Sequence, residues 1–145
     1  LTLRATAIAR AGSWPAHEAR DEVAFDHDRR HRRRMSFATA GGLAILLDLR
    51  EAIAARDGDA YVLEDGGFIR ILATPEPLLD VTADPDTLAR LAWHIGNRHL
   101  PAQFRPGGVR ILDDHVIAEM LAGLGATVTR LDAPFDPEPG AYQHG

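Results

Sequence analysis

Along the first 74 residues apolar and polar positions alternate in short runs, as in Thr2-Leu3-Arg4-Ala5-Thr6 and Arg34-Met35-Ser36-Phe37-Ala38-Thr39. A period of two places successive side chains on opposite faces of a strand, so this half reads as β-structure. Glycine-bearing turns separate the runs. Asp57-Gly58-Asp59 opens a strand at Ala60-Tyr61-Val62-Leu63, and Glu64-Asp65-Gly66-Gly67 turns it into Phe68-Ile69-Arg70-Ile71-Leu72. Hairpins are the expected connection, and residues 1–74 are expected to form a small all-β domain.

The pattern changes after Thr74-Pro75-Glu76-Pro77. Two prolines fix backbone dihedrals and remove two donors, so a linker and a domain boundary are expected here, with a second domain over 75–145. Leu78 to Thr82 reads as a strand, and Ala83-Asp84-Pro85 as a capped helix entry with proline in the first turn. Leu88, Leu91, Ala92 and Ile95 then recur at helical spacing, up to an end near Arg98 that Pro101 enforces. Strands around 102–105 and 109–112 follow, joined by Pro106-Gly107-Gly108. Asp113 and Asp114 cap a second helix with its stripe at Val116, Ile117, Met120, Leu121 and Leu124, Gly125 ends it, and Thr127 to Leu131 is a last strand. The order βαββαβ is the ferredoxin-like arrangement. The fold class expected is therefore α+β, with the all-β domain first.

With 46% hydrophobic residues in 145, the chain can bury one modest core or two small ones. No apolar run approaches the ~20 residues of a membrane span, and residues 1–10 lack a secretory pattern, so a cytoplasmic, membrane-free protein is expected. A net charge of −5 argues against nucleic acid as a partner. The exception is the basic run Arg29-Arg30-His31-Arg32-Arg33-Arg34, where Arg32, Arg33 and Arg34 offer a contact for an acidic partner. The simpler reading lays the run across a loop and the start of a solvated strand.

The absence of cysteine excludes thiolate chemistry and leaves histidine to hold any soft or borderline metal. His17, His27 and His31 lie in polar, loop-like surroundings and read as isolated surface residues. His94 and His99 are five apart and so are not an i, i+4 chelating pair. His94 sits beside the apolar stripe as a partly buried residue, whereas His99 lies in the turn beyond the helix. His115 opens the second helix, whose N-terminus disfavours a protonated ring and so favours the neutral imidazole a metal needs. The simpler reading makes Asp114 and His115 merely a polar helix start, with Asp113 beside them, and His144 in the tail is either a ligand to a metal held elsewhere or a residue without a role. Ser13 and Ser36, the two serines, lack a nucleophile-elbow context, and Gly41-Gly42 and Gly66-Gly67 lack that of a phosphate loop. An enzyme is not expected.

The segments His94-Ile95-Gly96-Asn97-Arg98-His99-Leu100-Pro101, Asp114-His115-Val116, Glu119-Met120-Leu121 and Leu124-Gly125-Ala126-Thr127-Val128 resemble the UreE-type urease accessory proteins. The ending Ala133-Pro134-Phe135-Asp136-Pro137-Glu138 with Gly140-Ala141-Tyr142 resembles them too, as do Arg32-Arg33-Arg34 and Arg56-Asp57-Gly58-Asp59 in the first half. The resemblance implies a homodimeric nickel metallochaperone that supplies Ni(II) for urease assembly, working with an accessory GTPase and the urease apoprotein. It implies an N-terminal β domain for partner or peptide interaction and a C-terminal metal-binding domain. It places the metal ligand on His99, shared across the subunit interface, with His115 and the tail residue His144 as additional ligands. Where some relatives carry a histidine two positions before His115, this chain has Asp113.

Imidazole sites without thiolate also suit Cu(II) and Zn(II), and intrinsic affinity favours copper. Two other classes compete with this reading. A metal-independent interaction module in urease maturation would leave the histidines incidental. A metal-dependent hydrolase needs an open coordination position, a general base and a cleft, and the sequence does not supply all three.

Overall fold

The computed structural model describes residues 1–140, which divide into two units, 1–74 and 75–140. The fold is α+β, and each unit builds its own core.

The first unit is a six-stranded mixed sheet. Its strands are β1 (Thr2–Ala9), β2 (Ala19–Phe25), β3 (Arg34–Ala38), β4 (Ala44–Asp48), β5 (Ala60–Leu63) and β6 (Phe68–Ala73). They lie in the order β2-β6-β5-β1-β4-β3. The β5–β6 pair is the antiparallel hairpin read from its turn residues. Hairpins do not account for the whole unit, because β1 runs parallel to β4 and β2 parallel to β6. Long excursions between those strands permit this, one of which carries the single-turn helix α1 (His27–Arg30).

Although β2 and β3 are the two ends of the sheet order, Phe25 and Phe37 meet edge to face with ring centroids 5.1 Å apart. Ala40 N–H also donates to the Glu22 carbonyl at 2.8 Å. The sheet therefore curls until its edges approach, enclosing Ala5, Val23, Ile45, Leu47, Tyr61, Ile69 and Ile71. Arg30 is buried at this core's margin, where its guanidinium donates to the carbonyls of Phe25 and Ala55. The basic run is thus not a uniformly solvated strip, since one of its members is structural.

The second unit has the strands β7 (Glu76–Thr82), β8 (Gln103–Arg105), β9 (Gly108–Leu112) and β10 (Thr127–Ala133). Their order is β10-β7-β9-β8, antiparallel throughout. Helices α2 (Pro85–Asn97) and α3 (His115–Gly123) supply the connections of a ferredoxin-like domain. β7 starts two residues earlier than the prolines led us to expect. Pro77 is accommodated because β9 pairs with β7 only as far as Leu78, so position 77 has a strand neighbour on one side alone.

Leu79, Val81, Val109 and Ile111 face the helices and pack with Leu91, Ile95 and Leu121. Burying each such side chain contributes roughly 1.5–3 kcal/mol, enough for this stripe to fix both helices on the sheet. Among the described residues, no helix is long and apolar enough to cross a membrane.

Candidate functional site

Helix α2 begins with the Asp84 carboxylate accepting from Thr87 N–H at 3.0 Å, and it ends around His99. Past the cap residue Arg98, His99 N–H donates to the Gly96 carbonyl at 3.0 Å and Leu100 N–H to the Ile95 carbonyl at 3.2 Å. This crossed pair is the Schellman termination, which needs a left-handed residue just beyond the cap. His99 supplies it with φ 56°, and it is the sole non-glycine residue with positive φ among those described.

Leu100 packs with Ile95 in the core, so the backbone is locked at that point. The His99 side chain is left exposed. An imidazole in a place that favours glycine costs about 1 kcal/mol in backbone conformation, and its ring makes no contribution to the core in return.

His115 is the first residue of α3. The Asp114 carboxylate caps that helix by accepting from Val116 N–H at 2.9 Å and Ile117 N–H at 3.1 Å. Asp113 is held differently: its backbone N–H donates to the Pro77 carbonyl, and its carboxylate lies 3.4 Å from Arg130 Nε. Both aspartates are thereby committed to positioning the start of the helix. His115 is exposed, beside Leu112 and Val116, which are 43% and 60% exposed.

A groove is lined by Leu100, Pro101, Ile111, Leu112 and Ile117 together with Asp113 and Asp114, and a separate pocket takes in His115 with Val116 and Arg130. His99 directly precedes Leu100 in sequence, and His115 directly follows Asp114. The chain after β10 is fastened to the same edge of the domain. Asp136 N–H donates to Gln103 Oε1 at 3.1 Å, and Glu138 N–H donates to the Ala102 carbonyl at 2.8 Å. His144 lies outside the described residues.

His94 is half-buried on α2, its ring edge to face with Trp93 at 5.1 Å, and its carbonyl accepts from Arg98. Among the described residues, no three histidine or carboxylate side chains converge as a metal-binding group. Within one chain, then, His99 and His115 are separate exposed imidazoles on one domain.

The arginines read as a partner contact each have an acidic neighbour. Arg32 pairs with Asp28 at 2.6 Å, while Arg33 and Arg34 both lie 3.7 Å from the Asp48 carboxylate, which also binds Arg4 at 2.8 Å. Arg4 first, then Arg34 and Arg33, hold the Asp48 carboxyl below the usual carboxylate range.

One arrangement escaped the sequence reading. His27 opens α1 and His31 is the cap residue just past its end, four positions on, with ring centroids 5.8 Å apart. The i, i+4 spacing that His94 and His99 lack was present here. The surrounding arginines and the shortness of the helix masked it.

Comparison with known proteins defines the class. Residues 2–74 match the UreE urease accessory protein N-terminal domain, and residues 76–145 match the UreE urease accessory protein C-terminal domain. The urease accessory protein UreE of Bradyrhizobium sp. (strain BTAi1) is 52% identical over 141 residues, covering 97% of this chain and 68% of that protein. That of Rhodobacter capsulatus is 46% identical over 142 residues, covering 98% of this chain and 88% of its own. In two Rhodopseudomonas palustris relatives, 50% and 55% identical, the chain spans 66% and 58% of their length. The chain belongs to the UreE urease accessory protein family.

Proposed function

We propose that this chain is a carrier that binds nickel(II) and delivers it for urease assembly, without catalysing a reaction. Membership of a family of urease accessory proteins supports the maturation role. The observation that carries the metal reading is His99: an exposed imidazole kept at a left-handed position where glycine is less strained. A backbone outlier that adds nothing to packing is explained by what its side chain does.

In this reading His99 is the principal ligand, and a second copy of the chain supplies a second His99, so that one ion is shared between two chains. The exposed apolar residues Leu112 and Val116 favour such a pairing. His115 and His144 are auxiliary donors, with His94, Asp113 and Asp114 in support. Imidazoles at a shared surface leave coordination positions open, which suits stepwise exchange with an acceptor better than a closed cage. Cu(II) and Zn(II) fit the same donors, so nickel delivery depends on partners, for which an accessory GTPase and apo-urease are the candidates. In this reading the N-terminal unit provides partner contacts, including Arg32, Arg33 and Arg34, and the chain works in the cytoplasm.

The test is urease activation by the His99→Gly chain, a change compatible with the local backbone. Loss of nickel incorporation with the fold intact is expected. Full incorporation would refute the carrier role and favour a metal-independent interaction module.

A further inference from the structure

The first unit brings a second set of imidazoles together, on residues that the carrier reading does not use. His27 and His31 are one helical turn apart, with ring centroids 5.8 Å apart and planes inclined by 39°. Two imidazoles bound to one ion through metal–nitrogen bonds of about 2.0–2.1 Å place their centroids roughly 4.5–6 Å apart, a range that includes the separation seen here. Both residues are half-buried rather than fully solvated, which restricts their rotamers before any ion arrives. The Asp26 carboxylate caps the turn by accepting from Arg29 N–H at 2.9 Å, and Ala55 N–H donates to the Arg30 carbonyl at 2.9 Å.

The objection to a cation here is the neighbouring arginines, and the geometry answers it in part. Arg30 turns inward to backbone carbonyls, Arg29 lies 4.5 Å over the Phe25 ring, and Arg32 pairs with Asp28. The remaining positive field selects against hard cations held by charge alone. It is tolerated best by ions that bond strongly to neutral imidazole, copper(II) ahead of nickel(II).

We propose that His27 and His31 form a two-imidazole half-site for a late divalent transition ion, its other positions taken by water or by the molecule exchanging the ion. The site is independent of His99 and stands or falls separately from it.

The experiment titrates the His99→Ala full-length chain with Ni(II), and separately with Cu(II), following histidine ring resonances by NMR. The His27 and His31 rings are expected to broaden together at substoichiometric ion, ahead of exposed His17. Adding His27→Gln and His31→Gln is expected to abolish the corresponding phase in calorimetry, with circular dichroism unchanged. The proposal is overturned if the two rings respond no earlier than His17, or if the same calorimetric phase survives the double substitution.

Discussion

His99 and Gly125 hold the same place in the same helix-ending motif. At α3, Gly125 N–H donates to the Ala122 carbonyl and Ala126 N–H to the Leu121 carbonyl, both at 3.1 Å, with Gly125 at φ 102°. At α2, His99 and Leu100 make the equivalent bonds to Gly96 and Ile95. One domain thus ends its two helices with one device and fills the left-handed position once with glycine and once with histidine. The substitutions His99→Gly and Gly125→His are therefore expected to act with opposite signs. The first relieves backbone strain but adds unfolded-state entropy, for a net gain of at most about 0.6 kcal/mol. The second is expected to cost about 1–2 kcal/mol. Urea unfolding of the two variants beside the parent chain measures both.

The aspartate preceding His115 offers a second test. Asp114→Ala removes two bonds to the orphan donors of α3 and is expected to cost about 1 kcal/mol. Faster amide exchange at Val116 and Ile117 is expected to accompany it. If His115 contributes to ion binding, affinity falls in this variant as well, because the residue that opens α3 loses its fixed backbone.

Acid is expected to weaken the chain in a definite direction. The carboxyls of Asp21, Asp48, Asp65 and Asp84 are all held below their ordinary range, at Asp48 chiefly by the hydrogen bond from Arg4 and at Asp84 by the Thr87 backbone N–H. A group whose folded pKa is depressed contributes stability that is present above its unfolded value, about 3.9, and is lost as pH falls through the folded one. Urea midpoints are therefore expected to drop between neutral pH and about pH 3. The Asp48→Asn chain is expected to show a shallower dependence.

Most of the fold was legible because its signals are local. The β5–β6 hairpin follows from glycine turns between apolar runs, and α2 from Asp84-Pro85 ahead of a helical stripe. The parallel pairings of β1 with β4 and β2 with β6 were not legible, because they join strands distant in sequence and no turn announces them. The entry of Pro77 into a strand depended on where β9 stops pairing.

At the candidate site, Pro101 marked the end of α2, but nothing in Asn97-Arg98-His99-Leu100 announced a left-handed residue, since the usual glycine is absent. The burial of Arg30 and the approach of His27 to His31 both depend on a single helical turn, too short to leave a periodic pattern.

The central claim, that His99 is the principal nickel ligand and is shared between two copies, is tested most directly by calorimetric titration of Ni(II). The parent and His99→Gly chains are compared, with oligomeric state measured in parallel. The account predicts a tight phase at about one ion per two chains in the parent and its loss in the variant, while the fold is retained. An unchanged tight phase in the His99→Gly chain would contradict it.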